Sequence, residues 1–211
     1  MRVVAFVLLI SALLLIQAER VRADNTVEVP VLATIRANDR GVFNVIVMTW
    51  DKRSAPDPLQ LRWGNNRVRV QGVGLGTLGA AFNYALTRLS MKPTGTLSLY
   101  GASYVPISSD GPSAGAALAV GFLALLRGDP LIRGIAVTGA LELDGHIGHV
   151  GGIPDKIRAA AREGYRTVLI PQGQLDQSEW NLSGLGLELN LTVKEVETVE
   201  QAYEYMTGQR W

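Results

Sequence analysis

Few residues of this chain combine a reactive group with a local setting that would activate it. The stretch SSDGPSAGAALAVG, Ser108 to Gly121, sets Pro112 and Ser113 between small turn-forming residues and an alanine-rich run. Ser113 therefore lies where a tight turn enters a predicted helix. There the first backbone N–H groups have no intrahelical partner and the helix dipole is positive. Such a serine can cap the helix, belong to a phosphate cradle, or act as a nucleophile whose oxyanion those N–H groups hold. A nucleophile needs a base, and the chain has only two histidines and no cysteine. A second glycine turn, Gly151-Gly152, enters a second predicted helix with Lys156 in its first turn. The positive helix end repels an ammonium there and lowers the lysine pKa, and burial lowers it further. To act as a base near neutrality the lysine must fall from about 10.4 to about 7–8, a cost of about 4 kcal/mol. Standing alone, the motif implies no more than a solvated lysine on a surface helix.

Other motifs carry less. Gly74-Leu75-Gly76-Thr77-Leu78-Gly79 matches the dinucleotide fingerprint. That fingerprint wants an acidic residue about 20 positions on, and no Asp or Glu lies between Pro58 and Ser109. A glycine turn that lets helix and strand pack closely is the better reading. No G-x-x-x-x-G-K-[ST] loop is present. His146 and His149 are three apart on a predicted strand, which points them to opposite faces, so exposed or hydrogen-bonded histidines are expected rather than a metal site. The sequons at Asn181 and Asn190 are read as chance occurrences.

The elements that must position Ser113 and Lys156 follow from pattern. With 211 residues, 47% hydrophobic and 18% charged, the chain reads as one globular domain. A net charge of +1 does not support electrostatic nucleic-acid binding. Without cysteine there are no disulfides or thiolate metal sites. After Arg2, the run Val3 to Ile16 is 14 uncharged apolar residues, short for a membrane span and right for a signal-peptide core. Residues 1–23 are read as a signal peptide cleaved after Ala23, or else as an uncleaved anchor that associates with the membrane through residues 3–16. Either way residues 24–211 form a domain outside the cytoplasm or facing out. Strands are predicted over 27–36 and 42–50, joined by a turn at 38–41. Further strands fall within the loop 51–66 and over 67–71, 95–103, 134–143 (continuing through 146–150 after a turn at Asp144-Gly145), 166–171 and 187–196. Helices are predicted over 77–91, 113–126, 155–164 and 199–206. Strands dominate early and alternate with helices later, which is a mixed α/β (α+β) domain with small sheets flanked by helices.

Taken together, DGPSAG, Val137-Thr138-Gly139 and GGIPDK resemble the proteolytic domain of Lon proteases, and the resemblance runs on to Pro171. It implies that Ser113 attacks the peptide carbonyl and that Lys156, 43 residues on, is the general base. It also implies that Thr138 orients the lysine amine, and that backbone around Gly111, Pro112 and Ala114 forms the oxyanion hole. Asp110 either caps the helix or tunes the charge of the dyad. The resemblance implies a polypeptide substrate, a homo-oligomeric ring, and no cofactor, metal or nucleic acid. Three features depart from the family pattern: Ala140 replaces a usual acidic residue, Ser109 a frequent lysine, and the loop Ser103 to Ser109 is unfamiliar. With an export signal and no phosphate loop, the expected activity is ATP-independent hydrolysis of unfolded proteins or peptides. Two rivals remain: a secreted, non-catalytic Lon-like binding module, and a small-molecule kinase whose Gly-Ser loop cradles phosphate.

Overall fold

The computed structural model describes residues 25–35, 40–54, 57–64, 68–70, 73–102, 107–109, 111–175, 177 and 179–211. The proposed signal peptide, Arg36 at the end of the first expected strand, Asn38 and Asp39 of the expected turn, and Asp110 lie outside them. The described domain is mixed α/β, as its patterning predicts.

β1 (Thr26–Ile35) and β2 (Arg40–Asp51) pair antiparallel, with Thr26 opposite Thr49 and Ile35 opposite Arg40. The alternation of the sequence explains the faces: Val27, Val29 and Val31 are buried while Glu28 is exposed. Arg40 and Gly41, expected in the turn, already belong to β2. β5 (Thr96–Ala102) adds antiparallel to β2, and β3 (Gln60–Trp63) parallel to β5, giving a four-stranded sheet in the order β1-β2-β5-β3. β4 (Val68–Val70) and β6 (Ile107–Ser109) pair parallel as a separate ribbon. β7 (Ile135–Val137), β10 (Thr167–Pro171) and β11 (Thr192–Val196) form a parallel sheet with β10 in the middle. Val168, Leu169 and Ile170 are all fully buried, as a central strand covered on both faces requires. β8 (Ala140–Leu141) and β9 (Ile147–Gly148) make a short hairpin.

Among the described residues five helices cover these sheets: α1 (Val73–Thr87), α2 (Gly115–Arg127), α3 (Ile153–Arg162), α4 (Leu182–Glu188) and α5 (Val199–Thr207). α2 is the centre of the molecule. Every residue from Gly115 to Leu125 is buried, because β1, β2, α1 and α5 surround it. α3 packs on the other side of the β1–β2 hairpin, in a second core that includes Leu32, Val150, Ile153, Ile157 and Val168.

Three expectations are corrected. α1 begins at Val73, so Gly74, Gly76 and Gly79 lie inside a helix rather than in a turn. The predicted strand 134–143 is broken at Thr138-Gly139, where the backbone bonds elsewhere (see below). The predicted strand 187–196 begins only at Thr192. Leu187 and Glu188 end α4, whose N-cap Asn181 accepts a hydrogen bond from Gly184 N–H.

The approach of α3 to β2 depends on one missing methyl group. A Cβ on Gly41 would collide with the backbone carbonyl of Asp155. Gly41→Ala must therefore push α3 away from the hairpin, and is expected to destabilise the domain by about 2–4 kcal/mol. The check is a urea midpoint that falls while the m-value stays constant.

Candidate functional site

Ser113 is the middle residue of a 3-10 turn, Pro112–Ala114, between β6 and α2. Proline suits this position, since its fixed φ fits a helix start and its missing N–H is not needed. Ser113 is half-buried. Its side chain caps neither the turn, whose N-cap is Gly111, nor α2, whose N-cap is Ala114. Among the described residues its hydroxyl has no hydrogen-bond partner. The capping reading of Ser113 is therefore corrected.

The Ser113 backbone is held by the break between β7 and β8. Thr138 N–H still donates to Leu169 of β10, at 3.0 Å. Gly139 N–H turns instead to the Ser113 carbonyl, at 3.0 Å, and the Gly139 carbonyl accepts from Ala116 N–H, at 3.1 Å. Gly139 thus leaves the sheet to pair with the serine turn, which is why no continuous strand forms there. The Thr138 hydroxyl also donates to the Ser113 carbonyl, at 3.3 Å.

Lys156 approaches from α3. Gly152, at φ 65, is the left-handed N-cap of that helix, and Lys156 N–H closes its first turn on the Gly152 carbonyl. Ile153, Lys156, Ile157 and Ala160 fall on one helical stripe, and all four are buried. The lysine is 2% exposed. Its Nζ donates to the Thr138 hydroxyl at 3.2 Å, and Thr138 itself is fully buried. Among the described residues no carboxylate pairs with Lys156. Burial lowers its pKa from 10.5 to about 8. The sequence reading invoked helix position and burial together; burial is the cause found here. A neutral amine suits the site, because among the described residues one hydroxyl is the only hydrogen-bond acceptor of the amine.

A chain of contacts therefore links Lys156 to Thr138 and Thr138 to the backbone of Ser113. Gly111, Pro112 and Ala114 lie in the same turn, while Asp110 lies outside the described residues. A mostly apolar pocket opens beside this turn. Gly111 and Ala114 line it together with Val31, Ile46, Trp63 and Leu118, and Asn44 and Thr77 are polar parts of its lining. A second, more open groove runs past Pro112, Val73, Ala80 and Leu141. Neither Asn44 nor Thr77 was singled out in the sequence, since strand and helix packing alone bring them here.

No group of three or more His, Asp or Glu that could hold a metal lies among the described residues. Both histidines are exposed and hydrogen-bonded, as expected. His146 Nδ1 lies 2.9 Å from Asp144, and His149 Nε2 lies 2.9 Å from the Gln172 carbonyl. Among the described residues, no helix is long and apolar enough to cross a membrane.

Part of this chain is similar in sequence to known proteins. Residues 102–207 match the model of the Lon protease (S16) C-terminal proteolytic domain. A peroxisomal Lon protease homolog 2 of Caenorhabditis briggsae is 37% identical over 100 residues, covering 47% of this chain and 13% of that protein. The Lon protease of Haemophilus influenzae is 36% identical over 92 residues, covering 44% of this chain and 11% of its own length. Lon protease 1 of Herpetosiphon aurantiacus is 44% identical over 66 residues, covering 31% of this chain and 8% of its own length. This chain thus spans only a small part of the relatives that it matches. The family match runs from the last residue of β5 to the last residue of α5, half of the chain, and the chain belongs to the Lon protease (S16) C-terminal proteolytic domain family.

Proposed function

We propose that this domain is a serine endopeptidase that hydrolyses peptide bonds of unfolded polypeptides through a Ser113–Lys156 dyad, without nucleotide. One observation carries the reading: a lysine 2% exposed has a hydroxyl as its described partner, and that hydroxyl is tied to the serine turn. A buried lysine kept only for packing would be better replaced by methionine or leucine, because desolvating an ammonium is costly.

In the reaction, neutral Lys156 takes the Ser113 proton as Oγ bonds to the carbonyl carbon. The oxyanion is held by backbone N–H groups of the turn at Gly111, Ser113 and Ala114. The Lys156 ammonium then protonates the leaving amine as the C–N bond breaks, which leaves an acyl-enzyme. Water, deprotonated by the same lysine, releases the acid and restores Ser113. Thr138 accepts a hydrogen bond from the amine throughout and keeps it aimed at the serine. Asp110 is assigned the tuning of the charge of the pair. Every proton passes through Lys156, between Ser113, the leaving amine and water, so the chemistry itself draws nothing from ATP hydrolysis. The apolar pocket beside Gly111 and Ala114 would take an uncharged side chain of the substrate, and folded proteins rarely offer one on an extended segment.

The test is incubation of the purified domain with casein in nucleotide-free buffer. New peptides are expected by mass spectrometry, together with an acyl-enzyme of Ser113 trapped at low pH. Binding of casein without any cleavage would overturn the reading in favour of a binding module. We further propose that residues 1–23 export the domain, or anchor it through residues 3–16, and that it assembles as a ring. Cell fractionation and sizing chromatography check these: a cytoplasmic pool would sink the first and a monomer the second.

A further inference from the structure

We propose that Gln174 is the positioning residue for Lys156, acting through the turn from which α3 starts. The inference rests on reading Lys156 as the base, and it names a residue whose described side-chain hydrogen bonds both go to Val150.

Gln174 is 2% exposed. Its Oε1 accepts from Val150 N–H at 3.0 Å, and its Nε2 donates to the Val150 carbonyl at 3.0 Å. A primary amide thus satisfies both backbone groups of one residue, as a neighbouring strand residue would, at a place where no strand is available. Val150 immediately precedes the Gly151-Gly152 turn, and Gly152 caps the helix that carries Lys156. The clamp itself is anchored. Gln174 N–H donates to the Pro171 carbonyl at 3.3 Å, and Gln172 N–H to the Val196 carbonyl at 3.0 Å. Leu175 N–H donates to Glu195 Oε1 at 2.7 Å. The loop after β10 is therefore fixed to the end of the β10–β11 sheet, and Gln174 transmits that fixed position to the start of α3. The opposite side of the turn is walled by Thr34, which a Cβ on Gly152 would meet at 2.6 Å.

If the clamp is removed, the β10 side keeps only the exposed contact of His149 with the Gln172 carbonyl, and Thr34 still walls the turn from β1. The first turn of α3 then loosens, water reaches the Lys156 amine, and the amine stays protonated to higher pH. A glutamine kept only for core packing would instead be replaced by methionine, of similar length and volume, with no effect on the lysine.

The test compares wild type with Gln174→Met, which keeps the volume and loses both bonds, and Gln174→Glu, which keeps only the acceptor. Two readouts are taken: the titration midpoint of the Lys156 side chain by NMR with labelled lysine, and kcat and KM for peptide cleavage. The expected result for Gln174→Met is a midpoint raised by about one pH unit, and a kcat lowered about tenfold at neutral pH with KM within twofold. Gln174→Glu is expected to fall between. An unchanged Lys156 midpoint in a folded Gln174→Met protein overturns the proposal. If that variant does not fold, an unchanged midpoint in Gln174→Glu does the same. Should wild type cleave nothing, the dyad reading fails by itself, and the midpoint still decides whether Gln174 positions the lysine.

Discussion

Ser113→Ala is expected to abolish casein cleavage, by a factor on the order of 10,000 or more, because removing the nucleophile of an acyl-transfer site leaves only the residual effects of binding and the oxyanion hole. It is expected to leave stability within about 0.5 kcal/mol of wild type, since the hydroxyl has no hydrogen-bond partner among the described residues and the side chain is only half-buried. That pairing is the informative part. The turn around Ser113 is held through its carbonyl, by Gly139 N–H and the Thr138 hydroxyl, and alanine keeps that carbonyl. Activity lost together with several degrees of melting temperature would mean that the serine serves structure. Activity retained would remove it as the nucleophile.

Lys156→Met is expected to reduce cleavage by about 1,000-fold, the usual scale of a positioned general base, and at the same time to stabilise the domain. With the pKa lowered by burial from 10.5 to about 8, the unfolded chain binds more protons than the folded one between those two pH values. Stability conferred by this residue therefore rises with pH from about 8 to about 10.5. Below about pH 8 the full penalty of a buried ammonium is present, about 3 kcal/mol. Methionine removes that penalty. It also takes away the hydrogen bond to Thr138, worth about 1 kcal/mol, so a net gain of about 2 kcal/mol is expected at pH 7. The gain should vanish as wild type approaches pH 10.5. Wild-type cleavage should rise with pH through a midpoint near 8, as the neutral amine accumulates. Chemical denaturation of both proteins at pH 7 and 10, with a pH–rate profile of wild type, checks every part. A variant less stable at pH 7 would show that burial does not lower the Lys156 pKa in the folded domain.

Much of this was legible because the local chemistry agrees with the fold. Proline at the first position of the Ser113 turn, small residues along α2, and Gly152 before α3 each state a backbone requirement directly. The burial of Lys156 was not read from its turn, which alone implies a solvated lysine, and the signal for it lies in the stripe that the earlier helix start at Ile153 completes. Ile153, Ile157 and Ala160 surround it at helical spacing, so the lysine occupies an apolar slot of that stripe.

What was not legible depended on competing periodicities or distant partners. In Leu187-Glu188-Leu189-Asn190-Leu191 the apolar residues alternate like a strand, and Gly184 and Gly186 lower the helix propensity of the preceding turn. The chain nevertheless makes a helix there, because Leu182 and Leu185 reach the second core and Asn190 reverses the chain at φ 50. The break at Thr138-Gly139 is invisible in a segment that reads as unbroken strand. It exists because the Ser113 turn, 25 residues earlier, offers the backbone partners. Gln174 has no sequence signal at all, since only the folded chain brings Val150 to it.

The central place of β10 fixes when the site can exist during synthesis. Thr138 is anchored to Leu169, and the loop after β10 ties back to Val196. A nascent chain that has emerged only as far as residue 150 holds the serine and the threonine, with neither the lysine nor the strand that sets them. Contacts of this sequence separation form late. By that order the proposed Ser113–Lys156 site is assembled only after nearly all of the domain has folded, and unfinished copies would not be exposed to a cutting centre on the same chain.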